Sequence, residues 1–401
     1  MELTQTKQGN RAEGGNDHDY IKPNDQPEKK LNQKHLNRQQ EHLKERDVLI
    51  DSFGRIARKL RISVTDKCNM QCKYCMPQDK VQWLNEDGVL KYDEITRLVS
   101  ILADLGIEKI RLTGGEPLLR PNLEDLITSL TEIDGIKSIS MTTNGLLLGD
   151  KASQLKESGL DSVNISLDTF RPDRFKAITG IDGLDKVSSA IEAADNIGLK
   201  PKINTVVIRG WNEDEVMDFA NFARKTEITV RFIEFMPLDG SGIWQPDLVY
   251  SKREMIDLIV RNVGQIKPLS HNLSDHGDYK ESIDSKGISS DYNDKIRTSD
   301  PATLYTFSDD EKGIIGFIPS MTEPFCARCD RARLTSDGRF LTCLFENPGY
   351  DLRNIIRSNR SDYYIKRQLL QNMRRKPEGI IKIINMKALK PSLNLMHTIG
   401  G

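Results

Sequence analysis

Residues 59–75 read Lys59-Leu-Arg-Ile-Ser-Val-Thr-Asp-Lys-Cys68-Asn-Met-Gln-Cys72-Lys-Tyr-Cys75. Leu60–Thr65 is a short run with β-branched residues and predicts a strand. Three cysteines spaced C-x3-C-x2-C follow it directly. A loop leaving the C-terminal end of a strand is where α/β proteins place their chemistry. Outward from this stretch the same unit recurs. Further strands are predicted at Lys109–Thr113, Ser138–Thr143, Ser162–Leu167, Lys202–Ile208 and Thr229–Glu234. Amphipathic segments lie between them, among them Tyr92–Leu105 and Leu184–Ile197, with apolar residues at helical spacing. Repeated βα units imply parallel strands with right-handed crossovers. Six units are fewer than the eight of a closed barrel. The expected fold is α/β, a partial, open (βα)6 TIM-like barrel. A doubly wound sheet is the other arrangement that six such units allow.

The 401 residues correspond to about two to three domains, or one large domain with an extension. Apolar residues make up 37% and charged residues 29%, so most of the chain can build a core while some of it stays solvated. A net charge of −1 supplies no global field for nucleic acid or an acidic membrane surface. No apolar run approaches the ~18–20 residues of a membrane span. The N-terminus lacks the apolar core of a secretory signal, so the expected compartment is the cytoplasm. Residues 1–50 are too polar to offset their ordering entropy and read as a disordered extension. Residues 51–269 form the expected barrel, and 270–300 a polar, mobile insertion. Residues 301–401 form a C-terminal region with strands at Pro301–Phe307 and Gly313–Ile318. Its basic stretch, 351–390, either faces an anionic ligand or is a solvated helix face.

The six cysteines fall into two triads, Cys68, Cys72, Cys75 and Cys326, Cys329, Cys343. A long chain with so few cysteines is not a disulfide scaffold. None of the six histidines lies between residues 43 and 270, so the barrel has no imidazole base or histidine-rich metal centre. Three thiolates at the first spacing suit a 4Fe–4S cluster with one iron left open. A zinc knuckle is the alternative and lacks a local fourth ligand. The second triad, C-x2-C-x13-C, also stands without a fourth ligand. A second open-iron cluster is the economical reading, and zinc with a water or distant ligand is the runner-up. Arg331 and Arg333 share a face if their stretch is extended, where they can clamp a triphosphate; the bland reading is two surface arginines. Gly114 and Gly115 permit close backbone approach to a ligand, and Glu116 after them can receive an ammonium group. Met236, taken singly, reads as core packing.

C-x3-C-x-Tyr-C after a barrel strand resembles the signature of the radical S-adenosylmethionine (SAM) enzymes. The resemblance implies SAM chelated on the open iron and cleaved to a 5′-deoxyadenosyl radical, within a partial (βα)6 barrel. It implies SAM contacts at Tyr74, at Gly115, at Ser166 in Asn164-Ile-Ser166-Leu-Asp168, and at Met236. Together with the second triad followed by Arg331-Ala-Arg333-Leu-Thr, the chain resembles the GTP 3′,8-cyclase family of molybdenum cofactor biosynthesis, over about residues 50–270 and 301–401. That implies two 4Fe–4S clusters, the second contacting the guanine of GTP. It implies GTP contacts at Arg61, Arg111, Thr142, Lys202, Arg331 and Arg333, all but the last pair at strand ends. It also implies an external electron donor, product transfer to a cyclic pyranopterin monophosphate synthase, and a homodimer, with no nucleic-acid or membrane partner. The family's terminal double glycine, reaching toward the active site, is matched by Gly400-Gly401; His397 has no assigned role. Two rivals remain. A two-cluster peptide-modifying maturase would carry more C-terminal cysteines. A zinc-binding adaptor would show complete four-ligand sets and a strongly basic face.

Overall fold

Alternation within each run gives the barrel its two faces. The six predicted strands form as β1 (Lys59–Ser63), β2 (Lys109–Thr113), β3 (Ser138–Thr143), β4 (Ser162–Ser166), β5 (Lys202–Val207) and β6 (Thr229–Glu234). Leu60, Ile62, Leu112, Met141, Ile165 and Phe232 are fully buried in the core. The residues between them, such as Arg61, Arg111, Ser140 and Lys202, fall on the opposite face by period two. Parallel strands buried on both faces normally read as continuous apolar runs. These alternate because one face lines a polar interior. In the computed structural model, the described residues are 47–76, 81–238, 242–269, 301–309, 312–380 and 396–399. The expectations for residues 1–46 and 270–300, for Gly400-Gly401 and for the His397 side chain lie outside them.

Between the strands run α1 (Tyr92–Asp104), α2 (Leu123–Thr131), α3 (Leu148–Glu157), α4 (Pro172–Thr179), α5 (Leu184–Asn196), α6 (Val216–Thr226) and, after β6, α7 (Lys252–Asn262). α1 buries Ile95, Leu98, Val99, Ile101 and Leu102, and α5 buries Leu184, Val187, Ala190, Ile191 and Ala194. Each large aliphatic side chain so buried contributes about 1.5–3 kcal/mol. Among the described residues, no helix is long and apolar enough to cross a membrane.

The later chain adds β7 (Ile266–Pro268), β8 (Thr303–Phe307), β9 (Ile314–Ile318), β10 (Arg331–Leu334), β11 (Arg339–Leu341) and β12 (Tyr350–Asp351), then α8 (Leu352–Arg357), α9 (Asp362–Met373) and the short α10 (Met396–Ile399). The sheet order is β12-β11-β10-β1-β2-β3-β4-β5-β6-β9-β8-β7. β1 to β6 are in chain order with no reversal, which removes the doubly wound alternative, since that fold reverses its strand order. Two strands of the C-terminal region flank the six: β10 pairs parallel with β1, and β9 parallel with β6. The basic stretch has a third role beyond the two expected. Arg357 pairs with Glu94 and Lys366 with Asp104, so α8 and α9 dock on the acidic side chains of α1.

The sheet is curled. β1 and β6 are five strand steps apart, or about 24 Å in a flat sheet. Yet the Arg231 guanidinium on β6 acts electrostatically on that of Arg61 on β1. Their inner faces therefore turn toward one another, as in a partial barrel.

Candidate active site

The inner face gathers guanidiniums. Register places Arg61 between Arg111 on β2 and Arg333 on β10, with Arg331 opposite Lys59. Burial pushes the Arg61 guanidinium well below its ordinary pKa, and the charges of Arg333, Arg111, Arg331 and Arg231 push the same way. Arg333, 7% exposed, is lowered to about 10, by burial first and by Arg331 second. Arg331 lies over the Phe325 ring at 4.4 Å, and its Nε and one Nη are buried without a hydrogen-bond partner. Desolvated like charges in contact oppose folding. Their natural complement is a polyanion, which guanidinium forks bind in charge-assisted pairs.

The placement corrects one expectation. Arg61 and Arg111 are the middle residues of five-residue strands, not strand ends. Side chains at inner positions line the interior along its depth, so the cationic surface continues inward from the mouth. Thr142 and Lys202 flank Asn164 on neighbouring strands. Arg331 and Arg333 share a face, as an extended stretch requires, because β10 is a strand in register with β1.

The first cysteine loop is strapped to the turn after β2. Gly115 N donates to Thr65 O at 2.8 Å, and Glu116 N to Lys67 O at 2.8 Å. A Cβ on Gly115 would stand 2.6 Å from Asp66 O and closer still to Lys67 O. The double glycine thus has a reason within the protein, the close passage of the cysteine loop's backbone. Glu116, fully buried, accepts from Thr143 Oγ1 at 2.7 Å, Leu118 N at 3.1 Å and Asn144 N at 2.7 Å. Burial lifts its carboxyl to about 7 against those three donors. Both oxygens are engaged in joining the β2 and β3 loops, so Glu116 has a structural task here besides the ammonium-receiving role expected of it.

Asn144 escaped the sequence reading. Its Nδ2 reaches Cys68 Sγ at 3.9 Å and Asn69 Oδ1 at 2.7 Å, and Met70 N donates to the same sulfur at 3.4 Å. Burial pushes the Cys68 thiol up to about 11 and Cys72 well above its usual value. None of the six cysteines is joined in a disulfide. Thiols become ligands by losing their protons to solvent as the metal binds the thiolates. A cubane takes one thiolate on each of three irons, and N–H donors to a sulfur tune it. Three cysteines in one loop, with N–H donors already on the Cys68 sulfur, are the kind of donor set such a cluster takes.

Tyr74 Oη donates to Asp168 Oδ2 at 2.5 Å, and Val206 N donates to Asp168 Oδ1 at 2.8 Å. Burial raises Asp168 to about 6 despite both donors. The pair ties the cysteine loop to the ends of β4 and β5. Tyr74 also lies edge-on to Phe235, the residue before Met236, with ring centroids 6.3 Å apart. Ser166 closes β4 opposite Asn204. Tyr74, Gly115, Ser166 and Met236 thus follow or end four parallel strands and share their C-terminal rim.

The second triad brackets β10. Cys326 and Cys329 belong to a short turn in which Cys329 N donates to Cys326 O at 3.2 Å. Cys343 follows β11, where Glu346 accepts from Thr342 N at 2.5 Å and Cys343 N at 3.3 Å. Burial raises Cys343. It would raise Cys329 too, but Arg331 and Lys376 outweigh it and hold that thiol below its ordinary value. Arg333 Nη1 donates to Ile399 O of α10 at 3.2 Å, so the last described turn of the chain touches the cationic row. The reading also missed Arg231, 5% exposed, whose Nε donates to Asn204 Oδ1 at 2.9 Å and whose Nη2 donates to Asn164 Oδ1. Period-two alternation in Thr229–Glu234 was the available signal, since it places residue 231 on the inner face.

The chain matches two family descriptions, the Radical SAM superfamily over residues 62–223 and Molybdenum Cofactor Synthesis C over 274–381. It is 39% identical over 353 residues to the GTP 3′,8-cyclase of Thermodesulfovibrio yellowstonii, covering 88% of this chain and 99% of that one. It is 38% identical over 356 residues to the mitochondrial GTP 3′,8-cyclase of Arabidopsis thaliana, covering 88% and 84%. Among solved structures it resembles Streptococcus suis SuiB bound to S-adenosylmethionine, with a TM-score of 0.52 and 15% identity over 77% of this chain and 64% of that one. The last likeness speaks for the fold alone. Matched by both descriptions and running nearly the full length of such relatives, the chain belongs to the GTP 3′,8-cyclase family of radical SAM enzymes.

Proposed function

We propose that this chain converts GTP to (8S)-3′,8-cyclo-7,8-dihydroguanosine 5′-triphosphate, the first step of molybdenum cofactor biosynthesis. The observation that carries the reading is the inward-facing row of Arg333, Arg61 and Arg111, joined by Arg331 and Arg231, whose mutual repulsion a triphosphate relieves. Arg331 and Arg333 clamp the triphosphate, Arg61 and Arg111 extend the clamp inward, and Thr142 and Lys202 line the same interior. Cys68, Cys72 and Cys75 hold the 4Fe–4S cluster of the radical SAM family, and Tyr74, Gly115, Ser166 and Met236 hold SAM on its open iron. Cys326, Cys329 and Cys343 hold a second 4Fe–4S cluster, whose open iron takes the guanine; the orphaned guanidinium nitrogens of Arg331 beside Cys329 support an anionic occupant there.

The chemistry that a reduced cluster with bound SAM supplies is a 5′-deoxyadenosyl radical, able to take hydrogen from C3′ of GTP so that C3′ bonds to C8. The chain's own residues bind, orient and shield. No histidine between residues 43 and 270 is available as a base, and a hydrogen-atom transfer asks for none. An external donor would supply the electron that cleaves SAM and a second one that, with a proton, quenches the nitrogen radical left on the guanine once C3′ has bonded to C8; the product passes to a cyclic pyranopterin monophosphate synthase.

The test is the double variant Arg331→Ala/Arg333→Ala. Anaerobic assays should show SAM cleavage still detectable and GTP cyclisation lost. Cyclisation at the parent rate would remove the clamp and, with it, the argument for GTP.

A further inference from the structure

Against the second triad runs the segment Lys376-Pro377-Glu378-Gly379, just beyond α9. Lys376 is 3% exposed. Its Nζ donates to the carbonyl of Cys329 at 3.1 Å and to that of Arg331 at 2.7 Å. Gly379 passes so close to Cys326 that a Cβ on it would stand 2.7 Å from Cys326 Cβ and 3.2 Å from Cys326 Sγ. Arg55, 8% exposed and before β1, completes the arrangement. It donates from Nη1 to Cys326 O at 2.7 Å and Glu378 O at 2.8 Å, and from Nη2 to Pro377 O at 2.7 Å. Asp51 Oδ2 fixes its Nε at 2.5 Å. Two buried cations from opposite ends of the chain therefore grip the backbone of two of the three cysteines.

Burying an ammonium is unfavourable unless its donors are met and its charge is balanced. Two carbonyls meet two of the three donors of Lys376 and leave its charge unbalanced. The residue joins a cysteine to the guanidinium strand: one carbonyl belongs to Cys329 and the other to Arg331, two residues on. An anionic thiolate-ligated cluster is the balance this position lacks, and charge next to a cluster shifts its potential.

From this geometry we infer that Lys376, with Arg55 and Gly379, is the positioning element of the second cluster site. It sets the C-x2-C turn and the start of β10 in one arrangement before metal arrives, and its ammonium offsets the charge of the cluster. The inference rests on the reading that the second triad holds an iron–sulfur cluster.

The test uses the full chain with the first triad replaced, Cys68→Ala/Cys72→Ala/Cys75→Ala, so that any cluster belongs to the second site. After anaerobic reconstitution this parent should hold about four irons; no iron in the parent would overturn the reading underneath, not the role of Lys376. Lys376→Met in that background should retain less than half of the parent's iron under a chelator challenge. The cluster that remains should have a more negative midpoint potential, since a cation has been removed. Lys376→Arg, which keeps charge and donors, should recover the retention. Iron retention and midpoint both equal to the parent's in Lys376→Met would overturn the inference. Should Lys376→Met fail to fold, judged by the thermal transition of the apo chain, Arg55→Lys decides. That variant keeps the charge but loses the fork on three carbonyls, so unchanged iron retention in it overturns the inference as well.

Discussion

The two cysteine triads share count and sheet, and differ in their surroundings. Carboxyl groups stand near the first: Glu116 acts on Cys68 and Asp168 on Cys72, and both thiols, already raised by burial, are raised further. Cations stand near the second: Arg331 and Lys376 hold Cys329 down against its burial. The loops are fixed in matching ways, by the carboxyl groups of buried Glu116 and half-buried Asp168 on one side and by the buried cations Arg55 and Lys376 on the other. Each set of charges suits a different guest. A sulfonium is a cation and belongs with the carboxyls, and a triphosphate is an anion and belongs with the guanidiniums. The ligand sets alone do not tell the sites apart, and their neighbours do.

The largest expected effect that would break this comparison is at Gly115. Alanine there forces its Cβ into the backbone of Asp66 and Lys67, where no flexible side chain can yield. The cysteine loop must shift, and a displaced ligand loop costs metal affinity roughly 100-fold. Gly115→Ala should abolish SAM cleavage and lower iron from about eight to about four per chain, the second site being untouched. Loss of iron from both sites would show that the two triads are not independent.

Next in size is Arg61→Met. It removes one guanidinium from a desolvated group of like charges, so it should act in opposite directions on binding and on stability. GTP affinity, measured by calorimetry, should fall about 10–100-fold, the worth of a charge-assisted hydrogen bond. The ligand-free chain should melt higher, because burying a cation among cations opposes folding. A lower melting temperature would mean that Arg61 is held by something other than the repulsion described.

Much of this arrangement was legible in the residues. β2, β3 and β6 begin and end where alternation put them, because strict period two is a local signal. The R-x-R pair shares a face for the same local reason. What could not be read is non-local. Nothing in Arg331–Leu334 announces that it docks parallel to β1, which lies some 270 residues earlier. Nor does an acid after two glycines announce its partners within the protein, which for Glu116 are Leu118 N in its own turn and Thr143 Oγ1 and Asn144 N after β3. Lys376 was hidden in a basic run whose members Arg357 and Lys366 pair with α1, and no spacing distinguishes it as a lysine that turns inward.

The smallest effect sharpens the carboxyl side of the comparison. Asp168 is raised from its ordinary 3.8 to about 6, chiefly by burial, while the Tyr74 hydroxyl and the Val206 amide pull the other way. The folded chain therefore binds this proton more tightly than the unfolded chain does. Its contribution to stability is fully present below about 4 and is lost as pH rises through about 6, with a slope of at most about 1.4 kcal/mol per pH unit. Other carboxyls titrate in the same window, so the informative quantity is the difference between two apo chains. Asp168→Asn keeps an acceptor for Tyr74 and removes the proton. Relative to the parent, its melting temperature should change little at pH 4 and rise toward pH 7, because the parent alone must then ionise an acid that folding desolvates. Parallel curves across that range would mean that solvent reaches Asp168, and that the first triad lacks the carboxyl environment which sets it apart from the second.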